Sequence, residues 1–98
     1  MRIITTYDLH FEDGQTTQNF PIGSKILSIS VRKEFLLGKF VEVPVIVVEK
    51  DETLRGVETR KFMIVPIKET FKLEDHTYLG TIALDNGTSS FNVFYRKL

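Results

Sequence analysis

The sequence predicts one all-β domain over residues 1–98, an antiparallel sandwich or small barrel-like roll of six or seven strands. Three observations carry that prediction. Apolar residues recur with a period of two, turn dipeptides separate the runs at short intervals, and no stretch keeps a helical period beyond a turn or two. An α+β fold with one short helix near residues 68–77 is the alternative.

The first run places Ile3, Thr5, Tyr7, Leu9 and Phe11 on one face and Ile4, Thr6, Asp8, His10 and Glu12 on the other, as in a half-buried strand. Asp13-Gly14 then predicts a tight two-residue hairpin, with QTTQNF as a short returning strand. Pro21 and Gly23 interrupt pairing, and KILSISVRKE follows with Leu27, Ile29 and Val31 facing inward. The stretch Lys39 to Val48 is the most β-branched in the chain and reads as a central strand, although Pro44 lacks the N–H that a ladder requires. Glu49 to Glu58 reads as a solvated loop before TRKFMIVPIK, and KETFKLEDHT as a loop or single helical turn over Phe71 and Leu73. Two final runs flank Asn86-Gly87, a type I′ hairpin signal. The expected core is Tyr7, Leu9, Leu27, Ile29, Val31, Val43, Val45, Val47, Ile64, Leu79, Ile82, Leu84, Phe91 and Val93.

Ninety-eight residues, 42% hydrophobic and 27% charged, suit one folded domain with one core. Lysine plus arginine balances aspartate plus glutamate at 13 each, so no overall field draws the chain to nucleic acid, an unfavoured partner. The absence of cysteine excludes disulfides, thiolate metal sites and a cysteine nucleophile. The first segment has neither the apolar run nor the cleavage site of a secretory signal, and no run approaches the ~20 apolar residues that span a bilayer, so no membrane partner is expected.

Motifs for chemistry are sparse. Gly23-Ser24-Lys25 has the wrong order for a phosphate-binding loop, lacks the upstream glycine, and leads into a strand where that loop needs a helix. His10 and His76 each stand beside carboxylates but far apart, and no serine sits in a nucleophile-elbow pattern. No enzyme activity, cofactor or metal is therefore expected. If the chain binds a partner or an anionic ligand, Lys25, Arg60, Lys61 and Arg96 are the candidate cations and Tyr78 the candidate stacking ring.

The segments YDL at 7–9, QT at 15–16, PIGSKILSI at 21–29, FMIV at 62–65, YLGT at 78–81 and FNVF at 91–94 occur in that order across most of the chain. In this the sequence resembles a group of small, uncharacterised bacteriophage-encoded proteins. The resemblance implies a phage origin, a host-cytoplasm location and a compact β-rich domain, and it brings no activity with it. Where that group often carries a histidine between its last aromatic positions, this chain has Asn92, so no imidazole role is carried over.

The expected function is that of a non-enzymatic phage accessory protein that binds a host protein and inhibits or redirects it, through strand edges free to accept a partner strand. A sponge for a nucleotide signal, binding between copies of a homo-oligomer, is one alternative. A minor virion or assembly protein is another.

Overall fold

Seven strands run antiparallel in two sheets, with no helix, in a computed structural model that describes residues 1–98. They are β1 (Arg2–Asp8), β2 (Gln15–Pro21), β3 (Lys25–Leu36), β4 (Lys39–Asp51), β5 (Val57–Pro66), β6 (Thr77–Leu84) and β7 (Ser89–Lys97). One sheet has the order β1-β4-β3 and the other β2-β5-β7-β6. The two stack as a sandwich, and no backbone ladder joins them into a barrel.

Alternation along the strands builds the core between the sheets. Leu9, Phe20, Ile46, Val48 and Phe62 are its fully buried members, with Tyr7, Phe11, Ile26, Ile29, Leu79 and Tyr95 packed around them. The Tyr7 ring meets Phe20 edge-on at 5.0 Å, and Phe20 meets Phe62 at 6.1 Å, so aromatic contacts tie β1 of one sheet to β2 and β5 of the other. On the opposite flank β6 lies against β3 so closely that a Cβ on Gly80 would sit 2.9 Å from Ile29 Cγ2.

Several expectations change. The inward residues of β4 are Ile46 and Val48, in register with Tyr7 and Thr5, so Val43, Val45 and Val47 belong to the outer face. Val45 is nonetheless buried, because Asp8 and Arg32, on the strands flanking β4, join across that face by two hydrogen bonds of 2.9 Å. A bulge between Ile26 and Ser28 turns Leu27 out to solvent. Asp13-Gly14 does form the predicted turn, with φ of 54° and 79°, but only Glu12 and Gln15 pair across it. β1 and β2 then diverge into different sheets, so the expected hairpin is a turn without a ladder.

The terminal hairpin also differs in detail. Left-handed backbone runs through Asp85, Asn86 and Gly87, and Leu84 pairs with Ser89, which makes a four-residue loop in place of a two-residue turn. No helix forms between β5 and β6. Phe71 instead stacks on Phe94 at 4.3 Å on the outer face of the second sheet, while Leu73 is exposed.

Candidate functional site

The residues singled out from sequence fall into three places. Lys25 lies opposite Glu49 in register on the outer face of the first sheet, and the Glu49 carboxylate is taken by Arg2 at 2.8 Å. Lys61 and Arg96 are cross-strand neighbours on the outer face of the second sheet, with Tyr78 further along that face opposite Phe94. Arg60 points the other way, into the interior, and is only 8% exposed. The five therefore form no single site.

Arg60 is a structural cation. Its guanidinium lies 5.7 Å from the Phe20 ring centroid and 5.8 Å from that of Tyr95, and its Nη2 donates to the Ser24 carbonyl at 2.5 Å and to Glu58 Oε1 at 3.1 Å. Glu58 also accepts from the Gly23 amide at 3.1 Å and from Lys97 Nζ at 2.9 Å. The Gly23-Ser24-Lys25 turn is thus bolted to β5 through the Gly23 amide and the Ser24 carbonyl. Tyr78 has an outlet of its own: its hydroxyl shares a hydrogen bond of 2.6 Å with Thr81, which donates to Asn92 at 2.7 Å.

Lys61 and Arg96 line an open cleft of about 660 Å³ with His10, Gln15 and Thr17, and neither cation has a carboxylate partner. Glu12 and Asp13 stand on the same cleft, which weakens it as a site for anions. No three histidine or carboxylate side chains converge to hold a metal.

The sequence reading passed over the most conspicuous feature, the arm made by the ends of β3 and β4. Leu37-Gly38, with φ of 50° and 78°, forms a two-residue turn of type I′ geometry between Leu36 and Lys39, and Phe35 pairs with Phe40 behind it. Phe35 and Phe40 meet edge-on at 5.0 Å on one side of the arm. Leu36 and Val41 lie on the other side, and Leu37 stands at the end, fully exposed at 102%. All five side chains are exposed, so both faces of this finger are apolar and wet.

Pro44 leaves one edge of the arm open. The Leu9 amide donates to the Pro44 carbonyl at 2.9 Å, and proline has no N–H to return the bond, so the β1–β4 ladder ends there. Beyond it, from Val43 to Lys39, β4 pairs with β3 on one side and with nothing on the other. Beside that free edge runs a groove of about 570 Å³, whose walls include Leu9, Phe11, Leu36, Val41, Val43 and Leu84.

Glu34, near the turn, is held by Arg32 Nε at 2.5 Å, and Glu42 accepts the Asp85 amide at 2.7 Å, whereas Lys33 and Lys39 have no carboxylate partner. Two lysines and the Glu42 carboxylate are therefore without an oppositely charged partner at the arm. In class, then, this is an all-β sandwich with an unpaired strand edge and an apolar finger. Compared with known protein families, curated proteins and solved structures, the chain matches none.

Proposed function

We propose that this is a non-enzymatic binding protein that engages another protein through the β3–β4 arm, taking an extended segment of its partner along the open edge of β4. Leu37 carries the reading. It is fully exposed and holds a left-handed backbone conformation that asparagine or glycine adopts far more readily, so neither burial nor local preference accounts for a leucine there. A residue that breaks both rules at the tip of an apolar finger is where function is expected to have overridden stability. Strand addition supplies main-chain hydrogen bonds along the edge, and the groove walls supply apolar contacts to alternate side chains.

The resemblance to phage proteins makes the partner a host protein in the host cytoplasm. The test is recovery from infected-host lysate by the unmodified chain, by Leu37→Asp and by Phe40→Pro. A specific partner recovered by the first and lost from both variants supports the reading. A partner retained equally by all three sinks it.

A second reading, the nucleotide-signal sponge, rests on Lys61 and Arg96, adjacent and unpaired on their cleft. Free ligand would then raise the unfolding temperature in a Lys61- and Arg96-dependent way. No shift across cyclic and linear nucleotides would remove it.

A further inference from the structure

Strand addition along β4 extends the sheet sideways, and the groove beside that edge takes in the face of the arm that carries Leu36 and Val41. It leaves Phe35 and Phe40 uncovered. These two rings lie on the opposite face, 63% and 74% exposed, where β3 and β4 run past the end of the second sheet. Glu42 marks that end, because its carboxylate accepts the amide of Asp85 in the β6–β7 loop.

Counting back from the turn, the paired positions are Leu36 with Lys39, Phe35 with Phe40, Glu34 with Val41 and Lys33 with Glu42. The turn and the outer two pairs, Phe35 to Phe40, hold four large apolar side chains, one lysine and no carboxylate. Behind them Glu34 is paired with Arg32, and Glu42 is engaged by the Asp85 amide. A protein that lies against a flat ribbon covers one of its faces. A lipid surface surrounds both.

We propose that the tip of the β3–β4 arm enters the headgroup region of an anionic lipid surface, with Phe35, Leu36, Leu37 and Phe40 inserted and Lys39 and Lys33 meeting the headgroup phosphates. This goes beyond partner capture at the β4 edge and does not depend on it. Glu34 stands three residues from Leu37, so the apolar end is about 10 Å long at a strand's rise, the depth that an interfacial element reaches. Deeper burial is opposed by the unpaired edge of β4, whose backbone groups need water or headgroups. Lys39, beside Leu36, is long enough to carry its ammonium back to the phosphates, and Lys33 lies about 13 Å behind the tip, among them. A contact of this kind needs no spanning segment, and no helix of the chain could serve as one.

The chain has no tryptophan, so Leu37→Trp and Ile4→Trp each supply a single reporter, the second exposed on the outer face of the first sheet. With vesicles of equal parts phosphatidylglycerol and phosphatidylcholine, the emission of Leu37→Trp should shift to the blue and be quenched by brominated acyl chains, while that of Ile4→Trp stays as in water. The unmodified chain should bind those vesicles roughly tenfold more tightly than vesicles of phosphatidylcholine alone. Phe35→Ser combined with Phe40→Ser should lose most of that binding with an unchanged β-sheet spectrum, because both rings are exposed. No blue shift of Leu37→Trp, the same shift of Ile4→Trp, or equal binding to the two kinds of vesicle overturns the proposal. Capture of a host protein from lysate, without vesicles, tests the other reading separately. If Phe40→Pro loses capture and the unmodified chain ignores vesicles, the edge binds protein and the lipid contact falls. If Leu37→Trp inserts and capture ignores Phe40→Pro, the lipid contact stands and the edge reading falls.

Discussion

Arg60 Nη2 donates to the carbonyl of Ser24 across 36 positions of sequence, and in doing so fastens the turn before β3 to the middle of β5. The guanidinium is buried between two aromatic rings. Replacing it by methionine keeps most of the volume but leaves the Ser24 carbonyl without its donor and Glu58 with only Gly23 and Lys97. Arg60→Met should lower stability by about 2–4 kcal/mol, read from urea unfolding midpoints. Adding Glu58→Gln should recover part of the loss, since the two residues share one network.

The same network sets a pH dependence. Glu58 is held below its ordinary value of 4.5, first by the hydrogen bond from Lys97 and then by Arg60. A carboxylate depressed by folding stabilises the native state fully above its unfolded pKa, and that stabilisation is lost as pH falls through the folded one. Stability should therefore be level near neutrality and fall below about pH 4.5. Glu58→Gln should flatten the upper part of the fall. The remainder reaches lower, because the hydroxyl and amide of Thr53 hold Asp51 down to about 2.

Gly80 is where the sheets press hardest. Gly80→Ala would force its new Cβ against Ile29 Cγ2, a side chain fixed on a packed strand, and should cost about 1–3 kcal/mol. Ile29→Ala removes the obstructing methyl. The double variant should lose less than the sum of the two single losses, and additive losses would show that the close approach is not what holds glycine there.

At the arm the sign reverses. Leu37→Asn suits the left-handed turn and uncovers no buried surface, so it should raise stability by about 1 kcal/mol while weakening partner capture. A variant that is more stable and less able to bind separates the two roles of the residue. Loss of stability on this change would contradict the assignment of strain to the turn.

The all-β class was legible because it rests on alternation, which the strands of both sheets obey. Faces were harder. In β4 the run VEVPVIVV is apolar on both sides, so period two does not say which valines look inward, and register with Tyr7 decides for Ile46 and Val48. Leu27 was misplaced because it is itself the bulged residue, left unpaired between the inward Ile26 and Ile29 where alternation breaks. Phe20, one of the two largest buried side chains, ends a polar run that masked it, and Phe62 follows the basic pair Arg60-Lys61 at the head of an apolar run whose faces period two leaves open. The arm was missed because Leu37-Gly38 is an unusual pair for a hairpin turn. The signal that could have found it is the symmetry of FLLGKF, with an aromatic residue equally placed on either side of a glycine-containing centre. Arg60 and Lys61 looked alike as a basic pair, yet adjacent strand residues face opposite ways, and only the fold shows which one enters the core.

Pro44 also bears on what the protein avoids becoming. A long unpaired strand flanked by exposed phenylalanine, leucine and valine has the makings of a fibril seed, since each added strand presents a fresh template to the next. Here the imino acid at one end and the turn at the other confine the template to the five residues from Lys39 to Val43. A single change of Pro44 to threonine would supply the missing donor to the Leu9 carbonyl, extend the β1–β4 ladder by one pair and shorten the sticky edge, and slower aggregation of an otherwise well-folded chain is the expected outcome.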